Sequence, residues 1–148
     1  MTVWILCLWT ATIYTVHKYE SLNRRFRLLS VPLVVLSIYG ILSYTVIGRV
    51  PTDKHFYVFA TAYNSEFWRE LFMNALLFCP LGMTLTVIAG VYSIVFAFLM
   101  SLGIEVWQYA AGTGMAQGTD VIMNTLGAAV GALPVMIGMH LSANDRNN

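Results

Sequence analysis

Charged residues are scarce in this sequence, and their scarcity argues against a soluble globular protein. Only 10% of the 148 residues are charged and 58% are hydrophobic, whereas a soluble globular domain carries about 25% charged residues. The formal net charge is +1 and no basic patch occurs, so the composition gives no sign of nucleic-acid binding. A chain of this length accommodates several membrane spans of about 20 residues each. We therefore expect an all-α fold, a polytopic helical membrane bundle of about five transmembrane helices.

Signature motifs of soluble enzymes and metalloproteins are also missing. The sequence contains no G-x-x-x-x-G-K-[ST] phosphate loop, no G-x-S-x-G and no H-E-x-x-H. His17, His55 and His140 are scattered along the chain and show no metal-ligand spacing. Cys7 and Cys79 lie in separate apolar runs, so we expect no disulfide between them. The sequence therefore predicts neither a metal site nor a cofactor.

The apolar runs predict five helices in one transmembrane domain covering residues 1–148. Their predicted bounds are about 2–17, 28–47, 67–88, 91–109 and 120–140, followed by a polar tail at 141–148. A single helix over the uncharged stretch 71–104 would overshoot a hydrocarbon core of about 30 Å. We therefore place a turn at Ala89-Gly90, and we assign residues 112–118 to a glycine-rich connector.

Basic residues in the predicted loops set the expected orientation. The loop after the first helix holds Lys18, Arg24, Arg25 and Arg27, which favours the cytoplasmic side by the positive-inside rule. The N-terminus would then lie outside and the C-terminus in the cytoplasm. The glycine-rich connector would face outside.

Glu105 is the one charged side chain between Glu70 and Asp120. No Lys or Arg occurs between Arg69 and Arg146, so the second half of the chain offers this carboxylate no local basic partner. An ionisable group in a membrane span is costly and usually faces the bundle interior, a partner or a wet cavity. We therefore expect other polar side chains to converge on Glu105.

The predicted threading brings several polar side chains to one depth. Glu105 would lie roughly 22 Å above the inner turn at a rise of 1.5 Å per residue, which is near the outer surface. Helical spacing puts its polar partners on matching faces of three consecutive helices. The members of this predicted cluster are Glu70, Asn74, Glu105, Gln108, Asp120 and Asn124, with Arg69 at its outer mouth.

Each member also has a purely structural interpretation. Asp120 could cap the last helix, because a carboxylate suits a helix N-terminus. Asn74 and Asn124 could provide hydrogen bonds between helices, and Gln108 could be an interfacial residue without a special task. Glu105 could be protonated and hydrogen-bonded to Asn74 or Asn124, or paired with Arg69 reaching inward.

Small residues and proline predict how the helices pack. The last helix reads Gly127-Ala-Ala-Val-Gly131, a small-xxx-small pattern that lets another helix approach closely. The third helix carries Pro80 and Gly82 in mid-span, which indicates a kink. We interpret these features as intramolecular packing first and as homo-oligomerisation second.

Three segments, taken in order, resemble the VanZ-like family of bacterial membrane proteins. Residues 69–82 look like the family's N-x-x-x-F-x-P-x-G helix, and residues 101–108 are similar to its S-x-x-x-E-x-x-Q helix. Residues 120–131 are similar to its D-x-x-x-N-T-x-G-x-x-x-G helix. The order and spacing of these motifs make the resemblance specific, whereas the first two helices carry little family signal.

The connector departs from the family pattern. Family members usually carry an Arg there and further acidic residues just ahead of the matching Asp, but residues 112–119 contain neither. Arg69 or Arg49 could take the place of that arginine only if the second loop folds over the site.

The resemblance implies a multi-pass protein of the bacterial cytoplasmic membrane. The family's namesake is associated with low-level resistance to teicoplanin, a lipoglycopeptide that acts outside this membrane. The first hypothesis is therefore a non-enzymatic protein that binds a membrane lipid, a lipoglycopeptide or a cell-wall lipid precursor at the outer leaflet. Its Glu105 and Asp120 would contact polar groups, and it would contribute to glycopeptide resistance or envelope homeostasis.

Two other classes of function remain open. A small proton-coupled transporter is the second hypothesis, because a membrane carboxylate can exchange a proton for a cation. An intramembrane enzyme that uses Glu105 and Asp120 as an acid–base pair on a lipid-linked substrate is the third. We rank the enzyme last because no nucleophile or metal motif accompanies the two acids.

Overall fold

The computed structural model describes residues 24–47, 49–50, 55–58 and 65–144. In chain order these residues form α1 (Arg24–Thr45), β1 (His55–Tyr57), α2 (Ser65–Ala89), α3 (Tyr92–Ala111), β2 (Met115–Gln117) and α4 (Gly118–Asn144). The helix predicted at 2–17 lies outside the described residues. The four described helices confirm the all-α bundle.

Three of the described helices are long and apolar enough to cross a membrane, over Ser65–Ala89, Tyr92–Ala111 and Gly118–His140. The apolar part of α1, Ser30–Thr45, is shorter. One face of α3 exposes a run of large apolar side chains: Val95, Phe96, Leu99, Leu102 and Val106. Such a face suits contact with lipid chains, because lipid tails are as apolar as these side chains.

The helix ends differ from the predicted ones because polar residues extend the apolar spans. α1 already includes Arg24, ahead of the predicted start at 28, because arginine is a good helix former. α4 continues to Asn144, so the first part of the predicted polar tail is helical. No Gly or Pro occurs at 141–144 to end the backbone hydrogen-bond ladder.

Two glycines with positive φ end the central helices. The chain reverses at Gly90, with φ of 57°, in the turn that the sequence predicts between α2 and α3. The buried hydroxyls of Thr86 and Ser93 are 2.7 Å apart across this turn and hold its two sides together. Gly112, with φ of 63°, ends α3. Glycine occupies both positions because it adopts this backbone conformation without steric cost.

Helices α2 and α4 pack with their backbones in close approach. A Cβ on Gly127 would collide with the Ala75 carbonyl, and a Cβ on Gly131 would collide with that of Cys79. Gly82 of α2 lies in the same way against Ala128 of α4. Pro80 is buried on the same helix as Gly82, and its carbonyl accepts a hydrogen bond from Thr84 Oγ1 at 2.8 Å. The small-residue pattern therefore lies within an intramolecular interface.

A two-stranded parallel sheet, which the sequence did not predict, joins the second loop to the connector. β1 pairs with β2 in the register His55 with Met115, Phe56 with Ala116 and Tyr57 with Gln117. A Cβ on Gly118 would lie 2.7 Å from the Val58 carbonyl oxygen, so a glycine is needed where α4 begins. The second loop thus folds over the connector, and the connector includes a strand.

Candidate functional site

Consecutive helices run in opposite directions, so polar residues from distant parts of the chain meet at one end of the bundle. We call this the connector end, because it holds the end of α3, the start of α4 and the β1–β2 sheet between them. The start of α2 and the end of α1 lie there too: Asn74 bonds to Asp120, and Thr45 bonds to Gln108. All site residues predicted from the sequence belong to these helix ends.

Glu105 lies on the inner face of α3, with 6% of its surface exposed. Its Oε2 atom accepts a hydrogen bond from the backbone N–H of Gln117 at 2.7 Å. The sequence suggested an asparagine or arginine partner for Glu105, whereas its partner in the structure is a main-chain donor of β2. A backbone donor leaves no mark in a sequence, so no residue pattern could have revealed this bond. The carboxylate faces the protein interior and attaches the sheet to α3.

Asp120 is in the first turn of α4, where a carboxylate also interacts favourably with the helix dipole. The Asn74 side chain of α2 hydrogen-bonds to it. The carboxylates of Glu105 and Glu70 both lie within electrostatic range of Asp120. The two functions considered for Asp120, a helix-end charge and a cluster member, are therefore compatible.

Arg49 supplies the cationic side chain next to the two carboxylates. Its Nη1 atom would lie 2.9 Å from a Cβ on Gly114, so the guanidinium rests against the connector where glycine leaves room. It is within electrostatic range of both Glu105 and Asp120. The sequence allowed Arg49 to replace the family's connector arginine only if the second loop folds over this region. The loop does so, and Arg49 lies within electrostatic range of both acids.

Gln108 connects α3 to the end of α1. It is 4% exposed, and its Nε2 donates a hydrogen bond to the backbone oxygen of Thr45 at 2.9 Å. The last carbonyls of a helix have no partner within that helix, and Gln108 satisfies one of them for α1. The Gln108 side chain therefore has a defined structural role that the sequence did not indicate.

Asn124 forms a layer one helical turn deeper than Asp120, together with Ser101 of α3. The Nδ2 atom of Asn124 donates to Ser101 Oγ at 2.8 Å. Asn124 is only 3% exposed, and its Oδ1 has no hydrogen-bond partner within the described part of the chain. An unpaired buried acceptor costs about 1–3 kcal/mol. This oxygen thus keeps unused hydrogen-bonding capacity inside the bundle.

Arg69 and Glu70 lie at the rim of this arrangement. Both are exposed near the start of α2. Glu70 still acts on Asp120 electrostatically, and it widens the acidic region towards the surface. The arginine that interacts with both inner carboxylates is Arg49, which the sequence ranked no higher than Arg69.

Comparison with known proteins identifies the family. A family model described as VanZ/LLP1 matches residues 1–139. The chain belongs to the VanZ-like family. The match includes the first two helices, where the sequence motifs gave little signal. No curated protein and no solved structure gives a significant match.

The VanZ-like motifs fall on the three helices that meet at the connector end. Asn74 comes from the first motif, Glu105 and Gln108 from the second, and Asp120 and Asn124 from the third. The apolar helices and the family together make this chain a membrane protein. Which side of the membrane holds the connector end stays a prediction.

The chemistry available at this VanZ-like site is that of hydrogen-bond acceptors. Carboxylate oxygens come from Glu105 and Asp120, and an amide oxygen comes from Asn124. Within the described ranges, no three His, Cys, Asp or Glu side chains are arranged to hold a metal ion. The arrangement suits a ligand that donates hydrogen bonds, bound where apolar helices end.

Proposed function

We propose that this VanZ-like protein binds the polar part of a lipid-like or glycopeptide ligand at the connector end, without catalysing a reaction. The observation that carries the proposal is the proximity of Glu105 and Asp120, two acids from different helices, beneath a folded connector. Acidic residues in membrane segments are costly and generally serve a function. Among the described residues, Arg49 is the cation that acts on both acids, so a simple ion pair does not account for the two of them.

Apolar surfaces beside the cluster support an amphiphilic ligand. The lipid-facing side of α3 exposes Leu102 and Val106, which lie within one helical turn of Glu105. An acyl chain could lie along this face while its headgroup reaches the acids and amides. Binding sites of this kind combine apolar walls with a few well-placed polar groups.

The predicted orientation gives this binding a place in the cell envelope. With the N-terminus outside, the connector end would face the outer leaflet, where lipoglycopeptides and cell-wall lipid precursors are found. Binding there would contribute to resistance against teicoplanin-type glycopeptides or to envelope homeostasis. This part of the proposal is supported by the family and by the charge distribution of the loops.

The test compares Glu105→Gln and Asp120→Asn with a control, Glu66→Gln. The two site variants remove charge but keep an acceptor oxygen, so Glu105→Gln retains the bond from Gln117. Glu66 is an exposed acid in the first turn of α2 and controls for loss of one negative charge. Each variant is expressed at matched levels in a susceptible bacterium, and the teicoplanin inhibitory concentration is measured along with lipid retained on purification.

We expect both site variants to lose teicoplanin protection and bound lipid, while Glu66→Gln behaves as the wild type. Unchanged protection and unchanged lipid in both site variants, at equal expression, would refute the proposal.

A proton-coupled transporter is the second candidate, and the neighbouring carboxylates of Glu105 and Asp120 favour it. Two adjacent acids can exchange protons for a cationic substrate. Proteoliposomes with an imposed pH gradient distinguish the two functions. Uptake of a cationic amphiphile that follows the gradient and fails in Glu105→Gln would support transport, whereas binding without uptake supports the first proposal.

A further inference from the structure

We infer that the connector-end site takes an amphiphile with an ammonium headgroup, in preference to a phosphate-type anion or a metal ion. This inference rests on the proposed function and adds the chemical class of the ligand. Two separate observations carry it: the excess of acid over base around Asp120 and the unpaired buried oxygen of Asn124.

The charges around Asp120 are mostly negative. In the described part of the chain, the carboxylates of Glu70 and Glu105 both act on it, and Arg49 is the cation that opposes them. A like charge placed close to such a group is repelled, and an opposite charge within about 4–6 Å is attracted. A bound phosphate would therefore increase the repulsion, whereas an ammonium group would relieve it.

The Asn124 side chain needs a donor and not another acceptor. Its Nδ2 donates to Ser101 Oγ, and within the described residues Oδ1 is the end of the amide without a partner. The free end is a carbonyl oxygen, which only accepts hydrogen bonds. Asn124 follows Asp120 by one turn, so the two residues share one face of α4. An ammonium group has three donors and no acceptor, which matches this requirement.

Glu105 retains acceptor capacity for the same ligand. The bond from Gln117 occupies one position on Oε2, whereas a carboxylate offers about four lone-pair positions. The three donors of an ammonium group could thus be shared among Glu105, Asp120 and Asn124. A neutral hydroxyl would have one donor and could satisfy only one of these acceptors.

A metal ion is a weaker match to this arrangement. Calcium needs about six to eight oxygen ligands and magnesium a near-ideal octahedron. The described residues hold no group of three His, Cys, Asp or Glu side chains arranged to bind a metal ion. An ammonium ion has less strict geometry and a single charge, so two carboxylates and an amide oxygen suffice.

The lipid-facing surface next to the site favours an amphiphile over a free amine. Leu102 and Val106 are exposed on α3 near Glu105. A ligand with an apolar chain partitions into the membrane beside this face, whereas a small soluble amine stays in the water. We therefore assign the ammonium group to the headgroup of a lipid-like molecule.

The experiment compares matched probes on the full chain in phosphatidylcholine nanodiscs. Dodecylamine, dodecanol and dodecyl phosphate share one chain and differ only in headgroup, ethanolamine tests a free amine, and calcium tests a metal. Binding is measured by calorimetry for the wild type, Glu105→Gln, Asp120→Asn and Asn124→Leu, with Glu66→Gln as the control. Empty nanodiscs correct for partition into the bilayer, and size-exclusion profiles show that each variant is folded.

We expect the wild type and Glu66→Gln to bind dodecylamine at least about tenfold more tightly than dodecanol, and dodecyl phosphate least, since one charge-assisted hydrogen bond accounts for such a factor. This preference should fall by about tenfold in Glu105→Gln and Asp120→Asn. Asn124→Leu should weaken dodecylamine without favouring dodecyl phosphate.

Each other result contradicts the inference in a distinct way. If the wild type bound all three dodecyl probes equally and the site variants lost this binding, the ammonium assignment would be overturned and the proposed function would stand. The ammonium assignment would also be overturned if dodecyl phosphate bound more tightly than dodecylamine, or if calcium bound at micromolar concentration. Binding of ethanolamine as tight as that of dodecylamine would overturn the assignment to an amphiphile. No site-dependent binding of any probe would overturn both.

Discussion

The Glu105 carboxylate accepts a hydrogen bond from the backbone N–H of Gln117 at 2.7 Å, and this bond joins α3 to the β1–β2 sheet. A side chain that lies in a membrane helix therefore also determines where the folded connector rests. Because the same carboxylate lies within electrostatic range of Asp120, the connector and the acidic cluster form one unit. A change at Glu105 should affect both.

Removing the acceptor of Glu105 should destabilise the connector more than removing its charge. We expect Glu105→Ala to lower the free energy of unfolding by about 1–3 kcal/mol, because the partly buried Gln117 N–H loses its partner. Glu105→Gln keeps an acceptor oxygen and should cost less. Hydrogen exchange at residues 115–117 should accelerate in Glu105→Ala and change little in Val106→Ala, a control at an exposed neighbouring position. Equal exchange in Glu105→Ala and the wild type would contradict the bond.

Adding a methyl group between α2 and α4 should separate the two helices. Gly127→Ala places a Cβ against the Ala75 carbonyl, which is backbone and cannot move alone. We expect about 1–3 kcal/mol of destabilisation from overpacking, measured as a lower unfolding temperature in detergent. Gly138→Ala on the same helix meets nothing within 4 Å and is the matched control. If both variants melt alike, the close approach of these helices is wrong.

Arg49 and Asp120 should be energetically dependent on one another. Arg49→Gln alone leaves the acidic cluster with less opposing charge, so we expect lower stability. A double-mutant cycle with Asp120→Asn should give an interaction energy of about 0.5 kcal/mol or more. Pairing Arg69→Gln with Asp120→Asn serves as the comparison, because both arginines are exposed but Arg49 is the one that acts on Asp120 electrostatically. Strict additivity for the Arg49 pair would show that the second loop does not bring its arginine to the cluster.

The register of the parallel sheet can be checked by cross-linking. Tyr57→Cys with Gln117→Cys places two thiols on paired residues, in a background without the native cysteines. Paired Cα atoms lie about 5 Å apart in a sheet, which a disulfide can bridge. We expect mild oxidation to link this pair much faster than Tyr57→Cys with Met115→Cys, which is out of register. Peptide mass spectrometry identifies the linked product, and equal rates for the two pairs would exclude this sheet.

The predicted orientation of the bundle needs a separate measurement. Met115 in the connector and Val91 in the turn are both exposed. Each is replaced separately, as Met115→Cys or Val91→Cys, in a background without the native cysteines. In intact cells, a membrane-impermeant thiol reagent should label the connector position and should reach the turn position only after permeabilisation. The reverse pattern would put the site in the cytoplasmic leaflet and remove the link to extracellular glycopeptides.

Much of the bundle follows from single-helix rules. The isolated acid at 105 and the spacing of Asp120 and Asn124 depend only on helical periodicity, and the turn at Gly90 follows from membrane thickness. Antiparallel threading then brings these residues to one end. Such reasoning needs no knowledge of specific contacts, which is why a sequence suffices for it.

The sheet and its consequences could not be predicted in this way. β1 and β2 have three residues each, too few to show an alternating pattern, and they are far apart in the chain. Arg49 follows the end of α1, which the bond from Gln108 to the Thr45 carbonyl holds at the site, and the sequence does not indicate this contact either. The bond from Gln117 to Glu105 is a main-chain bond, so side-chain patterns cannot reveal it. Tertiary contacts of this kind have to be read from the structure.

Photoaffinity labelling tests the central claim, ligand binding at the connector end, most directly. A dodecylamine carrying a diazirine next to its amine is photolysed with the full chain in nanodiscs, and its adducts are mapped by peptide sequencing. The account predicts adducts at Glu105 and Asp120 or their immediate neighbours, competed by unlabelled dodecylamine and strongly reduced in Asp120→Asn but not in Glu66→Gln. Adducts concentrated around the Gly90 turn, or labelling that Asp120→Asn leaves unchanged, would contradict it.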